Sequence, residues 1–157
     1  MTTRGFFAVL ALLRIAAGVS LFMSGLQKLA WFGSSAALGG ILAEWSQHPG
    51  SAAVAHYLSF VTHHQGLFAR MVVLGELSLG LLLIAGLLTP LAAILAFLMV
   101  ANFQFASSAM FTLAYLRGQS GLAYLLIYPV LFFGRAGTAL GADGFIARGG
   151  RRAQPST

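Results

Sequence analysis

The sequence predicts an all-α fold: an integral membrane four-helix bundle with a long, partly helical connection between spans 1 and 2. Three observations carry this. Of 157 residues, 59% are hydrophobic and only 8% charged, with a mean hydropathy of +0.87, whereas soluble domains carry about 25% charged residues. Apolar segments at about 6–31, 67–88, 91–115 and 118–134 approach or exceed the ~20 residues a bilayer-crossing helix needs. Backbone groups in hydrocarbon must be satisfied within their own segment, so each run is predicted helical. Without an internal repeat or low-complexity tract, the chain reads as one membrane domain over 1–147 and a flexible basic C-terminal tail over 148–157.

The first apolar run contains Arg14, continues well past the length of a signal-peptide core and shows no convincing small-x-small cleavage site. It is expected to be a retained first span. Arg14, Gly18, Leu21, Gly25 and Lys28 follow one another at increments of four and three, which places both cations on one helical stripe interleaved with glycines. The neighbouring row Ala16, Ser20, Ser24, Lys28 repeats every four residues, a small-xxx-small pattern that lets another helix approach closely. The charged face of this span is therefore expected to be its packing face.

Residues 32–65 hold two short amphipathic pieces around His48-Pro49-Gly50. Ser51 is placed to cap a helix on which Val54, Leu58 and Val61 repeat at helical spacing. That segment is expected to lie at the interface or fold back over the bundle, with those three side chains shielded. Thr89-Pro90 makes a tight turn between the second and third spans, which become antiparallel neighbours. Gly118 to Gly121 separates the third from the fourth, and Pro129 predicts a kinked or tilted fourth helix.

The formal charge of +6 does not point to nucleic acid, because the basic residues cluster at the ends of the apolar region. Arg4, Arg135, Arg148, Arg151 and Arg152 outnumber Arg70 and Arg117. With an even number of spans, the positive-inside rule then puts both termini on the cytoplasmic face of the cell's inner membrane. The chain has no cysteine, which excludes disulfides, Cys-ligated metal or iron–sulfur sites and CxxC thiol chemistry. His48, His56, His63 and His64 all fall in the long connection without an acidic ligand beside them, and no histidine pair sits at transmembrane depth. Neither metal nor haem is predicted. No phosphate-binding loop, Ser/His/Asp set or nucleic-acid module is evident.

Glu76 is the only ionisable residue between Met71 and Pro90. A charge at the bilayer centre costs ~2.5–3.5 kcal/mol on the lenient insertion scale, so it normally faces the interior and finds a partner. At ~1.5 Å per residue, Arg14 lies ~10 Å into the core from one side, Glu76 ~13 Å from the other, and Asn102 level with Glu76. Tyr128 arrives near the same level, with Tyr124 one turn away. Arg14 is thus the expected partner of Glu76, with Asn102 and Tyr128 in the same polar layer, while Lys28 is expected to snorkel to the outer interface. Arg14, Glu76, Asn102, Tyr128, Tyr124 and Lys28 together form the candidate intramembrane polar site. The competing reading is that this layer only fixes which helices meet and in what register.

Arg14…Gly18…Ser24-Gly25…Lys28-Leu29, then Gly75-Glu76…Gly80…Gly86…Thr89, then Gly134…Gly137…Leu140-Gly141…Asp143 resemble the DoxX family pattern. The stretch His56 to Ala106, with Phe-Ala-Arg-x-Val-x-Leu-Gly-Glu followed by Gly-Leu-Leu-Thr-Pro, is most similar to its DoxD branch, the small membrane subunit of archaeal thiosulfate:quinone oxidoreductase. The resemblance implies a four-helix membrane protein linked to quinone-dependent oxidation of reduced sulfur compounds, acting beside a partner subunit. It supplies no catalytic residue. Two functions follow as expectations: a membrane subunit of a quinone-linked oxidoreductase, not catalytic alone, or a non-enzymatic membrane scaffold or assembly factor. The expected partners are the lipid bilayer, a second protein subunit and a further copy of the chain. In the first reading Arg14, Asn102 and Tyr128 donate hydrogen bonds to quinone carbonyls and Glu76 relays protons.

Overall fold

A computed structural model describes residues 3–118, 121–138 and 141–144; the proposed tail at 148–157 lies outside the described residues. Helix α1 (Thr3–Gln27) runs into a 3-10 turn at Leu29–Phe32. Two short helices follow, α2 (Ala36–Gln47) and α3 (Ala52–His63). Then come α4 (Gln65–Ala85), α5 (Thr89–Ala106), the one-turn α6 (Leu113–Leu116) and α7 (Leu122–Phe133). There is no strand among the described residues. Helices α1, α4 and α5 are long and apolar enough to cross a membrane, and α7 is a shorter apolar helix. At 12 residues, α7 extends only ~18 Å. The result is the predicted all-helical membrane bundle.

The most extensive helix contact joins α1 to α4, and glycine makes it. A Cβ on Gly18 would stand 2.8 Å from the Ile84 nitrogen and 2.9 Å from the Gly80 carbonyl oxygen, while a Cβ on Gly80 would stand 2.7 Å from the Phe22 nitrogen. The two backbones therefore meet directly. Further along, Gly25 sits against Leu77 and the Glu76 side-chain stem. This is the Arg14–Gly18–Leu21–Gly25–Lys28 stripe, which is the packing face as expected. The neighbouring row divides: Ala16 and Ser20 remain exposed, whereas Ser24 and Lys28 reach α4.

Apolar side chains of α2 and α3 pack over one end of the bundle. Val54, Leu58 and Val61 are 0%, 1% and 4% exposed and share a core with Leu38, Leu42, Ala69 and Val73. Ser51 caps α3 by accepting a hydrogen bond from the Val54 N–H at 3.3 Å. Both features follow the sequence expectation. The third span is shorter than its apolar run, which continues to Tyr115. Ser107 ends α5 by donating its hydroxyl to the Gln104 carbonyl at 3.3 Å and accepting from the Ala109 N–H at 3.4 Å, an alternative to the helical ladder that serine offers the backbone.

The opposite end, where α1 begins, is closed by a latch. Gly86 terminates α4 in the left-handed region at φ 65°, which glycine adopts without strain. The Asp143 N–H then donates to the Gly86 carbonyl at 2.9 Å. The Asp143 carboxylate accepts from the Leu88 and Thr89 N–H groups at 2.8 and 2.9 Å. An acidic side chain distant in sequence thus caps α5, where the exposed N–H groups and helix dipole favour an anion.

Three substitutions test these contacts in detergent thermal melts. Gly18→Ala should lose ~1–3 kcal/mol, because overpacking forces the two backbones apart. Gly40→Ala, with open space around its Cβ position, should leave stability equal or higher. Asp143→Ala should cost ~1–2 kcal/mol through the lost cap.

Candidate functional site

The buried acid of the bundle is Glu76, 4% exposed on α4. Its partner is Lys28. The Lys28 ammonium lies 2.8 Å from both Oε1 and Oε2 of Glu76. Ser24 Oγ donates to Oε1 at 3.1 Å, and Lys28 Nζ also reaches Ser24 Oγ. Lys28 follows α1 directly, and side chains at the end of a helix lean back toward its N-terminus. Its ammonium therefore returns one turn, to Ser24 and to the glutamate facing it. The Trp31 ring stands 5.9 Å from the ammonium, within cation–π range.

Two expectations are corrected here. Arg14 does not pair with Glu76. The antiparallel contact sets Gly25 beside Glu76 and Arg14 beside Gly86, and the ten residues from Arg14 to Ser24 separate them by ~15 Å along the axis. Arg14, 0% exposed, instead donates Nη1 to the Ala136 carbonyl at 3.2 Å and attracts Asp143 electrostatically. It belongs to the latch. Lys28, expected to snorkel outward, turns inward because a carboxylate lies within its reach.

Asn102 also leaves the predicted layer. It is exposed and hydrogen-bonds Tyr57 of α3, tying the α2–α3 cap to the bundle. The buried polar residue of α5 is Gln104, two positions on. Its Nε2 donates to the Gly121 carbonyl at 2.9 Å, joining α5 to the start of α7, and Oε1 has no hydrogen-bond partner among the described residues. Gln104 continues the buried row Ala92, Ala96 at helical spacing, and that row could have singled it out over Asn102.

Tyr128 is 4% exposed and Tyr124 58% exposed, and both do face Glu76 across open space. That space has two lobes. One, about 280 Å³, lies between α1 and α7 and is lined by Ser20, Ser24, Glu76, Gln104, Tyr124 and Tyr128 among others. The other, about 300 Å³, lies under the cap and is lined by Lys28, Trp31, Ile41, Trp45 and Phe103 besides Ser24 and Glu76. Ser24, Glu76 and Phe103 border both, so the ion pair sits where the lobes meet. Each lobe approaches the ~300 Å³ lower bound of small-molecule sites. The arrangement offers a carboxylate, an ammonium, hydroxyl donors and flat aromatic walls in one cleft at membrane depth.

Residues 9–113 match the family model described as DoxX. No curated protein and no solved structure matches the chain.

A double-mutant cycle in detergent distinguishes the two candidate partners of Glu76. Lys28→Met alone should cost ~3 kcal/mol by stranding a buried carboxylate, and adding Glu76→Gln should recover part of that loss. Arg14→Met and Glu76→Gln should instead show additive losses, as expected for groups ~15 Å apart.

Proposed function

The chain belongs to the DoxX family, a membrane family often linked to oxidoreductase subunits, and from that premise we propose that it is a quinone-linked membrane subunit whose ligand head lies beside the Lys28–Glu76 pair. The observation that carries this reading is the ion pair itself: a carboxylate held by ammonium and hydroxyl where two aromatic-lined lobes join. A pair needed only to join helices would not require a cleft on either side of it.

The residues fit a quinone head. Trp31, Trp45 and Phe103 present flat apolar surfaces to a planar ring. Lys28, Ser24 and Tyr128 carry the N–H and O–H donors that carbonyl oxygens accept. A bound quinone supplies a two-electron, two-proton carrier. Glu76 is placed to relay the protons that accompany reduction, with Lys28 as its counter-ion. The aromatic walls and the α2–α3 cap limit water around the pair.

The electrons come from a partner subunit. The likeness of 56–106 to the DoxD branch favours thiosulfate or another reduced sulfur compound as the donor. The chain has no cysteine, so the sulfur chemistry is assigned to that partner. In this reading both termini face the cytoplasm, by the excess of Arg4 and the C-terminal arginines, and the α2–α3 cap faces outward.

Purification in mild detergent followed by lipid extraction tests the proposal. Quinone should accompany the wild-type protein and be absent from a folded Lys28→Met/Glu76→Gln variant. A quinone-free wild-type preparation that tightly retains a second protein would replace this reading with the scaffold function.

A further inference from the structure

We infer that the site takes its ligand sideways from the bilayer, between α1 and α7, and that the ligand is therefore an isoprenoid-tailed quinone whose tail stays in that opening. The inference rests on the quinone reading and adds the ligand's route and class. Helices α1 and α7 touch at the latch end, where Leu10 packs against Gly134. Nearer the cap, the space between them is the 280 Å³ lobe, with Ser20 on one rim and Tyr124 on the other. Both rim residues are exposed while Glu76 at the floor is 4% exposed, so the lobe is a passage from the flank of the bundle to the ion pair.

The position of the mouth identifies what enters it. Ser20 lies seven residues before the end of α1 at Gln27, ~10 Å inside the spanning segment. Around it Val19, Met23 and Leu126 are exposed apolar side chains, as a surface facing hydrocarbon requires. A molecule arriving there is already dissolved in lipid. The second lobe lies on the cap side of the ion pair and is lined by Trp31, Leu38, Ile41 and Trp45. A head that hydrogen-bonds and exchanges protons at Glu76, carried on a chain long and apolar enough to remain in the membrane, matches both ends of the passage.

The test compares two probes in nanodiscs: a benzoquinone bearing an isoprenoid tail and the same ring without it. Ser20→Trp narrows the mouth, and Met23→Trp is the control on a lipid-facing surface that does not line the lobe. Ser20→Trp should weaken the tailed probe about tenfold or more, which is ~1.4 kcal/mol, and leave the tailless probe and the Met23→Trp variant at wild-type affinity. Equal effects on both probes, or none, would overturn the lateral route while leaving the quinone reading intact. A wild-type protein that binds neither probe would remove the quinone reading and this inference with it. A second measurement needs no variant. A photoreactive group on the first isoprene unit should label peptides containing Ser20 or Tyr124, and labelling confined to α2 would contradict the proposed path.

Discussion

Between α1 and α4 there is one place where no side chain separates the two backbones, at Gly18 and Gly80. That contact sets the register of the longest helix pair in the molecule, and both charge clusters depend on it. With the register fixed, residues whose numbers sum to about 100 face one another, so Glu76 meets Ser24 and Gly25, and Gly86 meets Arg14. A shift of one turn toward Ser20, ~5.4 Å, would move Glu76 away from both Ser24 and Lys28. The energetic penalty for an unpaired charge in the membrane then reinforces the glycine contact against such a shift.

The polar groups consequently divide between the two ends of the bundle, with different consequences. At the latch end, Arg14, Ala136 and Asp143 hold the segment after α7 against the α4–α5 turn, with Asp143 capping α5. At the cap end, the Lys28–Glu76 pair borders open space, with tyrosines and tryptophans around it. Arg14 makes the fold and Lys28 makes the site, although both belong to the same stripe, which begins on α1 and ends just past it. The motif Gly134…Gly137…Gly141…Asp143 acquires a structural explanation as well: a Cβ on Gly137 would collide with Asp143 and Thr89, and one on Gly141 with Arg14.

Much of the bundle was legible from apolar length and periodicity. The stripe on α1, the cap by Ser51 and the shielding of Val54, Leu58 and Val61 all follow from spacing, because a buried face repeats at helical intervals whatever lies opposite. The pairing of charges was not legible for a different reason. Depth counted from a helix end inherits the uncertainty of that end, and it ignores the length and lean of the side chain. Lys28 looked peripheral because its Cα lies beyond α1, yet its ammonium returns a full turn. Asn102 looked central by depth, but depth says nothing of azimuth, and the buried row of α5 passes through Gln104. The third span looked longer because composition does not register the hydroxyl of Ser107 competing for the backbone.

Direct contact between Lys28 and Glu76 is the claim on which the site, its ligand and the route to it all stand. Lys28 is the only lysine in the chain and Glu76 one of two glutamates, so lysine labelled with ¹⁵N at Nζ and glutamate labelled with ¹³C at Cδ give an almost unique spin pair. Solid-state NMR dipolar recoupling in lipid bilayers should show a strong Nζ–Cδ coupling, as required by an ammonium 2.8 Å from both carboxylate oxygens, and Glu76→Gln should abolish it. A Glu76 signal without that coupling, or one coupled instead to a labelled Arg14 guanidinium, would contradict the account.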